Sequence, residues 1–372
     1  MATLFEPVSI GNIPLRNRLV RSATWEGMCE PDGRPTDKLN ECYTVLARGG
    51  VGLIISGYTF VSPEGKQLPG KMGLQTDRFE SDFKSLAQAV HRVGGALAVQ
   101  LVHAGGQADA DLTGLEAVAP SAVRTAQYKQ TPEQLTKKQI DDIVTAFGLS
   151  AVRAMQWGID AVQLHGAHGY LINQFLSPKT NRRTDEYGGT IENRCRFMLD
   201  VLAEIRRATG PNYPVMIKLN AADNLEGGLE FADAAMAAMK LDAAGIDAIE
   251  ISAGTPASGA MGPAREKIDA PEKEAYNLEL ARQIKAKVSC PVMAVGGFRS
   301  YEVCEEAIST HGIDFVAMSR PLIRQPDLPG RWEQGDHRPA HCISCNKCFV
   351  PGLRSGGIYC MAKRKKKTGM VK

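Results

Sequence analysis

Eight short apolar runs recur along the chain, at residues 19–23, 51–56, 96–101, 161–164, 215–219, 248–251, 292–295 and 315–318. Each holds four to six residues, and most are rich in Val and Ile and bounded by Gly, Pro or Asp. Continuous apolar runs of this length are how parallel strands buried on both faces read. Amphipathic stretches lie between them. The clearest predicts a helix starting near Thr136, with Gln139 completing a capping box and Ile140, Ile143, Val144, Phe147 and Ala151 on one face.

Three runs share one lead-in: Gly158-Ile159-Asp160-Ala161-Val162, Gly245-Ile246-Asp247-Ala248-Ile249 and Gly312-Ile313-Asp314-Phe315-Val316. The Gly supplies the left-handed residue that ends a helix, and the chain turns straight into a strand. Repetition of that junction is what a barrel of βα units requires, and it argues against separate all-α and all-β domains. The expected fold is therefore α/β, a (β/α)8 TIM barrel followed by a C-terminal Cys-rich metal-binding appendage. A doubly wound sheet would call for Gly-x-Gly-x-x-Gly after the first strand, and none is present. Residues 252–275 lack a helical period and hold five Gly or Pro within 254–263, which predicts a long loop above the barrel. The ordered barrel is expected to end near 322–327. Residues 1–330 are assigned to the barrel, 331–362 to the cysteine segment and 363–372 to a basic tail.

Composition narrows this little. A length of 372 residues with 44% hydrophobic and 23% charged is ordinary for a globular protein and excludes disorder, collagen and coiled coil. The net charge of +3 is concentrated in Lys363, Arg364, Lys365, Lys366, Lys367 and Lys372, and without those six the balance is −3. The body thus offers no electrostatic case for a nucleic-acid partner, and the tail reads as a solvated terminus. No run of 18 apolar residues occurs, so no membrane span is expected. The opening residues lack the basic region and apolar core of a signal peptide, which predicts a cytoplasmic location.

In a barrel of this kind chemistry sits where the strands end. The fourth run is followed by His165-Gly166-Ala167-His168-Gly169-Tyr170. A single His there would more often be a bonded core residue. Two imidazoles and a phenol beside two Gly point to polarisation of a carbonyl and to general acid catalysis. Gly296-Gly297 after the seventh run and Ser319-Arg320 after the eighth have the makings of a barrel phosphate site. Lys218 in the fifth run is either a paired interior charge or a ligand cation, and in both cases it needs an anion. Cys342, Cys345, Cys348 and Cys360 offer four thiolates, suited to a structural zinc or to an iron–sulfur cluster. The scattered Cys29, Cys42, Cys195, Cys290 and Cys304 read as small core hydrophobes.

His165-x-x-His168-x-Tyr170, Gln174-Phe175-Leu176-Ser177-Pro178, Arg183-x-Asp185-x-Tyr187-Gly188-Gly189 and Glu192-Asn193-Arg194 together resemble the signature of the old yellow enzyme family. The opening Leu4-Phe5-Glu6-Pro7 with Asn17-Arg18 is similar too, so the resemblance spans about residues 1–330. It implies a flavin-dependent ene-reductase, a (β/α)8 barrel holding FMN. On this likeness His165 and His168 bind the substrate carbonyl oxygen and Tyr170 protonates the α-carbon. Gln100 contacts the flavin pyrimidine edge, and Lys218 stands where many relatives place an Arg near N1 and O2. Tyr58 and Thr59, after the second strand, lie where the backbone approaches the ring. Trp25 departs from the pattern, occupying the place of a Thr or Cys beside N5. Either Thr24 takes that part, or the ring electronics differ; Trp25 itself reads equally as a wall of the pocket or as simple packing.

The x2, x2, x11 cysteine spacing resembles the subgroup of trimethylamine dehydrogenase and 2,4-dienoyl-CoA reductase. That implies a 4Fe-4S cluster beside FMN, with zinc the second choice. The subgroup normally continues into a further flavin- and nucleotide-binding region of several hundred residues, which is not expected here because the sequence runs only twelve residues past Cys360. Electrons are therefore expected from NAD(P)H directly or through a separate reductase or ferredoxin.

The function expected from all this is an FMN-dependent oxidoreductase that reduces an activated C=C bond conjugated to a carbonyl on a small molecule, as a homo-oligomer. One rival is a dehydrogenase passing electrons from an amine or alcohol to the cluster. Others are a zinc-bearing nucleic-acid-binding protein and a Schiff-base aldolase using Lys218.

Overall fold

All eight runs become strands of one closed parallel sheet in the computed structural model, which describes residues 2–362. They are β1 (Leu19–Arg21), β2 (Leu53–Phe60), β3 (Leu97–Val102), β4 (Ala161–Gly166), β5 (Val215–Asn220), β6 (Ala248–Ser252), β7 (Val292–Val295) and β8 (Phe315–Met318). Every strand residue is buried except Val295, which is half-buried. That explains the unbroken apolar runs: one face meets the barrel interior and the other meets helices. Closure is made by β8 against β1, with Val316 opposite Leu19, and by β1 against β2.

Around the sheet lie α1 (Asp37–Arg48), α2 (Glu80–His91), α3 (Lys137–Gln156), α4 (Arg196–Thr209), α5 (Phe231–Ala243), α6 (Leu278–Lys285), α7 (Tyr301–Ser309) and α8 (Leu328–Glu333). The capping box that starts α3 is present. Thr136 N–H donates to Gln139 Oε1 at 2.9 Å, and the Thr136 hydroxyl accepts from the Gln139 N–H. Ile140, Ile143, Phe147 and Ala151 are buried, while Val144 is half-buried.

The repeated Gly-Ile-Asp lead-in has a physical cause in both its ends. Gly158, Gly245 and Gly312 all adopt positive φ, at 83°, 79° and 68°. The Asp then reaches back to the preceding strand. Asp160 accepts from Leu97 N–H at 2.7 Å, Asp247 from Val215 N–H at 2.7 Å and Asp314 from Val292 N–H at 2.8 Å. Each carboxylate satisfies a buried donor at the start of an odd-numbered strand, where the ladder has no partner for it.

An N-terminal hairpin, Val8–Ile10 antiparallel to Ile13–Leu15, was not foreseen. Ile10, Ile13 and Leu15 pack against Val20, Ile55, Met216, Met293 and Phe315 in the barrel interior. The hairpin plugs the N-terminal end of the barrel, so the open end is the one where the strands finish. The second strand also needs correction. It runs to Phe60 through a register shift between Ile55 and Tyr58, so Tyr58 and Thr59 lie within β2 and not after it.

Residues 252–275 contain only the 3-10 turns Pro256–Met261 and Pro271–Lys273. The cysteine segment carries a helix at Val350–Ser355. The basic tail 363–372 lies outside the described residues. Of the scattered cysteines, Cys195, Cys290 and Cys304 are buried, while Cys29 and Cys42 are half-buried.

Candidate active site

At the strand-ending mouth of the barrel is a cleft with about 1040 Å³ of free space, its opening included. Thr24, Trp25, Tyr58, Gln100, His165, His168, Tyr170, Lys218, Gly296, Gly297, Ser319 and Arg320 all line it. Residues from seven of the eight barrel strands or the turns after them therefore converge on one space. Lys71, Ser22, Ser252, Tyr276, Ser344 and Phe349 line it as well, and none of these was anticipated. The cleft wall includes three cations, Lys71, Lys218 and Arg320, and no carboxylate.

His165 is the last residue but one of β4, and after Gly166 the chain turns tightly. His168 and Gly169 both have positive φ (59° and 75°), and Tyr170 N–H donates to Ala167 O at 3.2 Å. Left-handed backbone costs a non-Gly residue roughly 1–2 kcal/mol, so the turn must be held from outside. Gln107 donates to His168 O at 3.0 Å, Gly169 N–H donates to Asn173 Oδ1 at 2.6 Å, and Gln174 donates to Gly169 O at 2.7 Å. Asn173 and Gln174, both buried, thus act as braces of the turn.

The turn brings three rings together. His165 and His168 stand perpendicular with centroids 5.0 Å apart, and His165 lies 4.7 Å from Tyr170. His168 Nε2 is 2.7 Å from Ser252 Oγ, whereas His165 Nδ1 is buried without a partner among the described residues. Burial, His168 and the nearby Lys218 ammonium hold His165 well below the usual imidazole range, and burial and Lys218 hold His168 down to about 3. Both rings are therefore neutral at pH 7, each with one N–H to give. Burial pushes the Tyr170 phenol up, and its hydroxyl donates to Gln67 Oε1 at 2.7 Å.

The anion that Lys218 requires is Glu250 on β6. Lys218 Nζ is 2.9 Å from Glu250 Oε1 and donates to Ser22 Oγ at 2.7 Å. Ser22 donates to Glu250 Oε1 at 2.7 Å, Gln163 to Glu250 Oε2 at 2.8 Å, and Gln100 to Gln163 Oε1 at 2.8 Å. The network is fully buried and ties β1, β3, β4, β5 and β6 together below the cleft. It leaves Gln100 with its Oε1 still able to accept.

The Thr24 hydroxyl is already engaged: it donates to Ser22 O at 2.9 Å, lies 2.6 Å from Ser319 Oγ and takes a bond from Arg21. Trp25 is half-buried and rests on the cysteine segment, where a Cβ placed on Gly352 would come within 3.1 Å of its ring. Gly296 and Gly297 have φ of 140° and 83°, and a Cβ on Gly296 would meet the Tyr276 ring at 2.7 Å. Bare backbone is thus required at the end of β7. Arg320 donates to Arg265 O and to Asn346 Oδ1, both at 2.7 Å.

Cys342, Cys345, Cys348 and Cys360 border a second, smaller cavity together with Arg320, Ile323 and Arg324. Among the described residues, no three His, Cys, Asp or Glu side chains converge on a single metal ion. Arg324 Nη1 donates to Cys360 Sγ at 3.3 Å. Ser344 and Asn346 adopt positive φ (51° and 55°) between the cysteines, and Arg320 borders both cavities.

No helix among the described residues is long and apolar enough to cross a membrane. A profile of the NADH:flavin oxidoreductase / NADH oxidase family matches residues 3–338. The chain is 38% identical over 354 residues to an NADH oxidase of Thermoanaerobacter brockii, covering 94% of this chain and 54% of that protein. It is 36% identical over 331 residues to an NADPH dehydrogenase of Halalkalibacterium halodurans, covering 88% of this chain and 92% of that one. Among solved structures, a 2-naphthoyl-CoA reductase complex superposes with a TM-score of 0.87 at 30% identity, covering 96% of this chain and 56% of the other. The chain thus spans about half the length of the longer relatives.

Proposed function

Because this chain belongs to the NADH:flavin oxidoreductase / NADH oxidase family, we propose that it is a cytoplasmic, FMN-dependent enzyme that reduces a C=C bond conjugated to a carbonyl on a small molecule, with NAD(P)H as electron source. The observation that carries the reading is the His165–His168–Tyr170 cluster in the wall of the cleft.

Arg320, whose partners are two neutral oxygens in a cleft wall without a carboxylate, suits a cofactor that carries a phosphate. Gly296, Gly297, Ser319 and Arg320 would hold the phosphate, and Gln100, Lys218, Thr24 and Tyr58 would border the ring. Trp25 would close the cleft against the cysteine segment. FMN held there would supply the hydride-transfer chemistry.

The chain's own residues do the rest. Neutral N–H groups of His165 and His168 hold the carbonyl oxygen and stabilise the negative charge that develops on it, in a site where water competes little. Tyr170 gives its proton to the α-carbon. Its raised pKa keeps that proton in place at neutral pH. Gln67 holds the phenol meanwhile.

For the four thiols, the proposal is a 4Fe-4S cluster, a group larger than one ion and so better matched to a cavity they border jointly. Held there, it supplies one-electron transfer, and a separate protein donor could reach it.

An anaerobic preparation tests the reading. The expected result is a flavin band that bleaches with NADPH or NADH and returns on addition of an enone. Bleaching by an amine or alcohol, with no response to enones, would make the protein a dehydrogenase. A colourless protein would remove both.

A further inference from the structure

Lys71 is the one cation in the cleft wall with no task in the scheme above. It is 2% exposed, and among the described residues it has no carboxylate partner. Its Nζ donates to Gln67 Oε1 at 2.9 Å, the same oxygen that receives the Tyr170 hydroxyl. It also sits 3.4 Å from the centroid of the Tyr58 ring and 5.4 Å from that of Tyr170. An ammonium has three N–H donors, so two make no hydrogen bond among the described residues, at the edge of a cleft.

A buried ammonium served by one amide and an aromatic face lacks the compensation that such groups normally have. Removing an ion from water costs several kcal/mol unless a counter-charge restores it. Lys218, similarly buried, has that counter-charge in Glu250. Arg320 has two neutral oxygen partners and stands at the expected phosphate end of the cleft. Lys71 stands at the opposite, Tyr170 end, where substrate enters the scheme. Burial also pushes its pKa well down, and an incoming anion is what restores the charged form.

We infer that Lys71 is a specificity residue that receives a carboxylate of the substrate, so the substrate class is an α,β-unsaturated carbonyl compound bearing a carboxylate. This rests on the reading of Tyr170 and the His pair as the substrate end of the cleft. The anion would sit beside Tyr58 and Tyr170 and take the two free Lys71 donors. The carbonyl oxygen would remain with His165 and His168.

The test uses two unreactive probes of the same shape, benzoate and benzamide, titrated by calorimetry into the FMN-loaded protein. Wild type is expected to bind benzoate at least about tenfold tighter, the size of one charge-assisted hydrogen bond. In Lys71→Gln the benzoate-to-benzamide ratio is expected to collapse toward one, and Lys71→Arg is expected to restore part of it. A wild-type ratio at or below one overturns the inference even if the variants fail to fold. An unchanged ratio in FMN-loaded Lys71→Gln overturns it as well. Benzoate preference in a protein that reduces no enone leaves Lys71 as the anion receptor and removes the ene-reductase reading. Enone reduction without benzoate preference does the reverse.

Discussion

The buried Lys218–Glu250 pair permits a quantitative test. Glu250 is fully buried and Lys218 is 3% exposed, so solvent screens neither. Replacing Glu250 by Leu leaves an ammonium with only the Ser22 hydroxyl, and strands the Gln163 amide that now donates to Glu250 Oε2. Breaking a buried pair from one side costs about 3–5 kcal/mol. Lys218→Met, which leaves the carboxylate behind, should cost a similar amount. The double variant removes both charges and should be far less damaging than the sum, since a fully apolar replacement of a buried pair is often near neutral. Urea unfolding followed by tryptophan fluorescence, with and without added FMN, measures all four corners of the cycle. The expected coupling is about 3 kcal/mol or more and present in both conditions. Single losses that add to the double loss within about 0.5 kcal/mol would show that the pair is not an energetic unit, and the argument would fail.

Further outcomes follow from other parts of the molecule. Tyr170→Phe should keep FMN and lose roughly 10²–10⁴-fold in the rate of enone reduction; unchanged turnover on every enone tested would remove Tyr170 from the acid role. Anaerobic analysis should find about four iron and four sulfide per chain, with iron lost in Cys345→Ala; stoichiometric zinc would refute the cluster. Thr136→Ala removes the hydroxyl that accepts from Gln139 N–H at the start of α3, leaves the backbone N–H bond to Gln139 Oε1, and should cost about 1 kcal/mol, read as a lower Tm. Burial, only partly offset by Arg21, raises the Glu26 carboxyl to about 7. A raised acid favours the folded state while protonated, so its contribution is full below about pH 4.5, the unfolded value, and is lost as pH rises through about 7. Wild type should therefore lose stability relative to Glu26→Gln across that window; parallel pH curves for the two proteins would contradict it.

The barrel was legible because strands buried on both faces must be apolar throughout, and because a helix that ends in left-handed Gly leaves a visible mark. The twelve anticipated cleft residues were legible because strand order places strand ends on one rim, with the family likeness singling out Gln100, Tyr58 and Trp25. What escaped was non-local. Glu250 lies within an ordinary run, Ala248 to Ser252, and only the neighbouring β5 reveals its partner. Lys71 and Gln67 sit in an irregular connection after β2, and nothing nearby in sequence marks them as neighbours of Tyr170. Tyr58 was placed past the strand because the bulge in β2 lets the strand continue through Gly57. The hairpin at residues 8–15 was too short to have a period, and the carboxylate links of Asp160, Asp247 and Asp314 span adjacent strands.

Closure of the sheet by β8 on β1 also bears on how the chain is made. During synthesis the first strand emerges early, yet its β8 partner is among the last barrel segments to leave the ribosome. Until then the growing sheet has two raw edges whose backbone groups can pair with any neighbour. Chains released short of residue 318 keep both edges permanently. Such fragments should depend on chaperones and clump at concentrations where the whole chain stays dispersed.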